Sequence, residues 1–109
     1  MAAISTVPVT ITSEAAARIA ELGMQSELEQ MIEHTRQVVP HLLCMEVVLE
    51  GPYETHDEPY VTIEATCGGP VDDNEMTEGE WGDWKMETFP PQVYQHFSMM
   101  VLSETDNGR

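Results

Sequence analysis

Basic residues are scarce in this sequence. Lys and Arg together number four against twenty Asp and Glu, a formal net charge of −16 with neutral histidines. Binding to DNA or RNA depends on Lys and Arg displacing counterions from phosphates, so direct nucleic-acid binding is not expected. The same sign of charge disfavours an anionic membrane surface. No apolar run approaches the ~18 residues of a membrane-crossing helix, so no span is expected. Cysteine is sparse too, with only Cys44 and Cys67. His41 and Cys44 have an H-x-x-C spacing, but there is no CxxC pair, and a structural zinc site needs four convergent N or S ligands. The start, "MAAISTVPVTIT", lacks a basic region and a long apolar stretch, so no secretory signal is read there. A cytoplasmic protein with reduced thiols is the expectation. No G-x-S-x-G elbow, phosphate loop or dinucleotide fingerprint occurs. No cofactor, no metal and no catalytic residue is therefore assigned.

At 109 residues the chain is sized for one domain, 1–109, with "ETDNGR" (104–109) read as a frayed tail. "STVPVTIT" alternates, with Val7, Val9 and Ile11 on one side, and reads as a half-buried strand. Pro8 lacks an N–H and places that strand at a sheet edge. Helix signals follow: Ser13 as N-cap, Glu14 in the first turn and Gly23 as a stop. Ser26 and Glu29 have capping-box spacing, and Leu28, Met31, Ile32, Thr35 and Val39 form one stripe before Pro40. The first forty residues thus resemble the strand–helix–helix order of ribbon-helix-helix DNA-binding proteins. The strand bears no Lys or Arg, however, so phosphate contact would be weak.

"HLLCMEVVLE" and "PYVTIEATC" read as an antiparallel hairpin across a loop of nine residues, with Glu50 opposite Tyr60. That register places Val48 opposite Thr62, Glu46 opposite Glu64 and Cys44 opposite Thr66. It also points Cys44 and Cys67 to opposite faces, which argues against a disulfide. Residues 68–79, "GGPVDDNEMTEG", read as loop by composition. Pro91 opens a short helix, and "FSMMVLS" is the last strand. The expected fold is α+β: a two-layer sandwich in the order β-α-α-β-β-(short α)-β, with an N-terminal strand and helical hairpin on a mostly antiparallel sheet of about four strands.

Aromatic residues are few, with two Trp, three Tyr and two Phe, yet most fall in "EWGDWKMETFPPQVYQHF", residues 80–97. Phe89 and Phe97 are expected to close the core. Trp81 and Trp84 stand three apart among Glu78, Glu80, Asp83 and Glu87, a setting typical of an interaction surface. The segment resembles one found in small bacterial proteins without an assigned activity, encoded beside toxin–antitoxin or defence genes. That resemblance favours a binding role and implies no chemistry.

Between residues 41 and 87 Lys85 is the only basic residue among thirteen acids. The resulting expectation is a non-catalytic acidic protein that masks a basic partner surface, as an antitoxin does to a nuclease toxin or a nucleic-acid mimic to a DNA-binding protein. The expected contact residues are Trp81, Trp84, Glu46, Glu50, Glu64, Glu80 and Asp83, with indoles and acids on one side of the molecule. The alternative is a ligand-binding protein or enzyme with Glu46, Glu64 and His96 around a pocket. A homodimer through the edge strand and exposed aromatics is a further expectation.

Overall fold

A computed structural model describes residues 7–51, 58–68 and 74–103, without the side chains of residues 74 and 75. The tail 104–109 and residues 69–73 of the expected loop lie outside the described residues. The element order is β1 (Val9–Ile11), α1 (Ser13–Leu22), α2 (Gln25–Val38), β2 (Leu42–Glu50), β3 (Tyr60–Cys67), α3 (Asn74–Thr88), α4 (Pro91–Tyr94) and β4 (Phe97–Ser103). The fold is α+β, as the sequence pattern indicates.

The four strands form one sheet in the order β1-β2-β3-β4. The central pair β2–β3 is antiparallel in the expected register: Glu50 opposite Tyr60, Val48 opposite Thr62, Glu46 opposite Glu64 and Cys44 opposite Thr66. The two outer pairings, β1–β2 and β3–β4, are parallel. Parallel neighbours require a crossover connection, and here α1–α2 and α3–α4 supply the two. Among the described residues β1 has one neighbour, β2; the Pro8 carbonyl accepts from Met45 N–H at 3.0 Å, so its imide nitrogen lies on the paired side of the strand. The ribbon-helix-helix reading fails at this point, because β1 pairs within its own sheet.

One face of the sheet is the core. Met45, Val47, Val61, Ile63, Ala65, Cys67, Phe97, Met99 and Val101 alternate onto it and are buried. The expected stripe of α2, namely Leu28, Met31, Ile32, Thr35 and Val39, packs there with Ala15 and Ile19 of α1. Burying one such side chain is worth roughly 1.5–3 kcal/mol, and this shared face holds the two layers together. Strand β2 departs from strict alternation at its start. A register shift between Leu42 and Cys44 turns Leu43 outward, where it is exposed, while Leu42 packs against the core. Both cysteines are free, Cys44 exposed and Cys67 buried.

Helix boundaries differ from expectation in three places. The N-cap of α1 is Thr12, whose Oγ1 accepts from Ala15 N–H at 3.2 Å; Ser13 is already helical. Helix α2 begins at Gln25, so Ser26 lies inside it and no side chain caps its start. Gly23 does end α1, in the left-handed conformation at φ 69°, which favours glycine. The largest difference is α3: residues 74–79, expected as loop, form its first turns.

Helix α3 seals one edge of the sheet. Lys85 Nζ donates to the Phe97 carbonyl at 2.7 Å, and Glu78 Oε2 accepts from Val101 N–H at 2.7 Å. Both backbone groups sit on the side of β4 that faces away from β3. A bare strand edge presents unpaired donors and acceptors, and two side chains two turns apart satisfy one acceptor and one donor here.

Candidate functional site

The site is assembled by the hairpin. Residues that alternate away from the core put Thr10, Glu46, Glu64 and Met100 in one row across the sheet, with Cys44, Thr66 and Leu102 in the next. Val48, Thr62 and Ser98 form a third row, and Glu50 lies beside Tyr60. Among the described residues Thr10, Cys44, Glu46 and Met100 of this face are exposed, Val48, Glu50, Glu64, Thr66, Ser98 and Leu102 are half-buried, and Thr62 is buried.

The electrostatics of this face are one-sided. Directly opposite residues of an antiparallel pair have Cβ atoms about 4.5–5.5 Å apart, so Glu46 and Glu64 are close neighbours of like charge. Desolvation by burial is the main cause that lifts the Glu64 carboxyl above the ordinary glutamate range; the Glu46 and Glu50 charges add to it. Glu50 has a partial remedy: its Oε1 accepts from the Thr62 hydroxyl at 3.1 Å, and Thr62 lies 2.9 Å from the Ser98 hydroxyl. The described cations are used elsewhere. Arg18 pairs with Glu21 and Glu58, Arg36 with Glu33, and Lys85 with the Phe97 carbonyl.

The indoles lie elsewhere, which corrects the expectation of one combined patch. Trp81 is 2% exposed, and its indole N–H donates to Thr35 Oγ1 at 3.0 Å. Thr35 Oγ1 in turn donates to the Met31 carbonyl at 2.8 Å. Trp81 is thus a core residue joining α3 to α2, and no partner reaches it in this fold. Trp84 is half-buried in the seam between the same helices. Its ring stacks on His34 at 3.8 Å and 5°, and meets Phe89 edge-on at 5.6 Å. Burial lowers the His34 pKa. Beside this stack runs a shallow groove of about 410 Å³ lined by Ser26, Glu29, Gln30, Glu33, Gln37, His34 and Trp84. It belongs to the helical layer, on the far side of the sheet from Glu46 and Glu64. Glu80 and Asp83 are exposed on α3. Phe89 and Phe97 are buried as expected.

Glu46, Glu64 and His96 do not converge. His96 lines a separate groove with Glu58, Pro59, Tyr60 and Gln95, and its carbonyl accepts from Val61 N–H at 2.8 Å. Glu64 lies further along β3, opposite Met100. Acid–base work by paired carboxylates needs a cleft that holds a substrate against both, and the groove that holds His96 includes neither Glu46 nor Glu64. No cluster of three or more His, Cys, Asp or Glu able to hold a metal ion occurs among the described residues. No described helix is long and apolar enough to cross a membrane. No local sequence signal marks His34 for this stacking, which depends on residues 74–88 forming a helix.

Comparison with known proteins finds no matching family model, no matching curated protein and no matching solved structure. Within residues 80–97, the rings of Trp81, Phe89 and Phe97 are accounted for by burial in the core.

Proposed function

We propose that this protein is a non-catalytic, acidic interaction module whose uncovered sheet face receives a basic protein partner. The observation that carries the reading is the row Glu46–Glu64, two opposed carboxylates with Glu50 nearby and none of the described cations beside them. Lys or Arg side chains from a partner would relieve the repulsion that the fold leaves in place. Met100, Leu102 and Val48 around the acids supply apolar contact, and long-range attraction from a −16 chain speeds the encounter. A nuclease toxin or a DNA-binding protein, whose basic surface otherwise holds phosphate, fits this chemistry. A cytoplasmic setting accords with the two free thiols.

The test compares two variants of equal charge. Glu46→Gln with Glu64→Gln removes two charges from the sheet face; Glu80→Gln with Glu87→Gln removes two from α3. Exposed to partly buried pairs are worth ~0.5–1 kcal/mol each, so the first variant should bind a small basic protein about five- to thirtyfold more weakly at low salt. The second should change affinity little. Equal losses from both would mean diffuse attraction with no site.

A further inference from the structure

The two edges of the sheet are treated differently. Glu78 and Lys85 close the β4 edge, but nothing among the described residues closes the β1 edge. The bonds from Met45 N–H to the Pro8 carbonyl and from Thr12 N–H to the Val47 carbonyl show which way β1 faces. Residues 8, 10 and 12 address β2, so by strand alternation the N–H and C=O of Val9 and Ile11 point away from the sheet. Pro8 cannot blunt this outer edge, because its imide nitrogen faces β2. Beside the edge lies an apolar cavity of about 180 Å³ lined by Ile11, Ala16, Ile19, Leu28, Ile32 and the stems of Gln25 and Glu29. Ile11 itself is 42% exposed.

Charge decides the occupant. Two copies carrying −16 each repel wherever acids face one another. Residues 7–13 carry no ionisable side chain, so β1 is a part of the surface where two copies meet without carboxylate opposing carboxylate. Of the acids around it, Glu14 lies in the first turn of α1, Glu46 is one strand inward on the outer face, and Glu29 is at the cavity wall.

We propose that the protein self-associates by antiparallel pairing of β1 with β1 of a second copy, giving a continuous eight-stranded sheet. One register uses all three residues of each strand: Thr10 opposite Thr10 of the second copy, and Val9 opposite Ile11 in both directions. Val9 and the opposing Ile11 exchange both backbone hydrogen bonds, which makes Thr10 the closely spaced, non-hydrogen-bonded pair. The two apolar cavities then face each other across the two-fold axis and lose their exposed Ile11 side chains to the interface. The acidic sheet faces stay uncovered on the same side, so the dimer presents the site twice. Salt has opposite effects on the two associations: it screens repulsion between copies and strengthens the dimer, whereas it weakens capture of a basic partner.

The pairing is tested by a thiol at its centre. In the full chain carrying Cys44→Ser, Thr10→Cys places two sulfurs across the axis at a Cα separation of about 4.5 Å, within disulfide reach. Mild oxidation of folded protein should give a covalent dimer, and adding Ile11→Glu should suppress it about tenfold or more, since like charges would then flank the pair. Sedimentation of the unmodified chain should show a dimer that strengthens from low to high salt. Ile11 is already partly exposed, so its substitution should leave the far-UV circular dichroism unchanged. A chain that stays monomeric in high salt, or a dimer that neither crosslinks at residue 10 nor responds to Ile11→Glu, overturns the proposal. Either result leaves the reading of the acidic face standing or falling on its own test.

Discussion

Removing the Trp81–Thr35 hydrogen bond is the perturbation whose size the structure fixes best. Both residues are buried, at 2% and 0% exposure, and their 3.0 Å bond is the polar link between α2 and α3. Truncating a core Trp to Ala costs ~3–5 kcal/mol, and small domains are stable by only ~5–15 kcal/mol, so Trp81→Ala would stand close to unfolding. Trp81→Phe keeps most of the ring. Its cost is about 1 kcal/mol for the lost hydrogen bond and about 1 kcal/mol for the unfilled volume. Thr35→Val keeps the shape and leaves a buried indole N–H without an acceptor, at ~1–3 kcal/mol. The Met31 carbonyl is spared, because it stays within the helical ladder. Urea unfolding followed by circular dichroism measures each variant; with a slope of ~1–3 kcal/mol per molar, the midpoints should fall by about 1 M. The double variant should lose about 1 kcal/mol less than the sum of the singles, since the orphaned N–H is gone. If each single substitution costs less than ~0.5 kcal/mol, as exposed positions do, or if the two add without coupling, Trp81 is not the core residue described.

Two more outcomes follow from the same structure. Glu64, raised above its ordinary value by burial and by Glu46 and Glu50, takes up a proton more readily folded than unfolded. Its penalty is therefore absent below the unfolded value of about 4.5 and grows as pH rises through the folded value. Glu64→Gln should accordingly stabilise the protein at neutral pH, and the gain should vanish in unfolding curves taken at lower pH; a loss at neutral pH would contradict the raised carboxyl. Burial also lowers the Lys85 pKa, yet its ammonium still reaches the Phe97 carbonyl. Lys85→Met retains the packing and should cost about 1 kcal/mol in urea unfolding, with faster hydrogen exchange at α3; unchanged exchange there would mean that the edge is held by other contacts.

The parts of the fold that were legible are those where periodicity and burial coincide. The α2 stripe and the alternation in β2 and β3 are shared by sequence and structure because each apolar residue has one buried face to occupy. The hairpin register followed from loop symmetry alone. Helix α3 was illegible for an opposite reason. Met76 and Met86 are exposed, and Gly79 and Gly82 meet nothing where a Cβ would sit, so neither an apolar stripe nor a strong propensity marks it. It is held by tertiary contacts: Trp81 on Thr35, Lys85 and Glu78 on β4. The same contacts explain the misplaced indoles. Acidic neighbours in sequence suggested a surface for Trp81, but on a helix Glu80 and Asp83 point to solvent while Trp81 points inward. The site was half legible, since strand parity put Glu46 and Glu64 together, whereas a parallel β4 bringing Met100 and Leu102 beside them could not be read from local pattern.

A basic partner is proposed to bind the acidic sheet face that no described helix covers. Backbone amide shifts recorded while a lysine-rich protein is titrated in at low salt test it most directly. Changes concentrated at Glu46, Glu64, Thr66 and Met100, and lost with Glu46→Gln and Glu64→Gln, are the predicted result. Changes spread over the acids of α1, α2 and α3, or centred on Trp84 and His34, would contradict it.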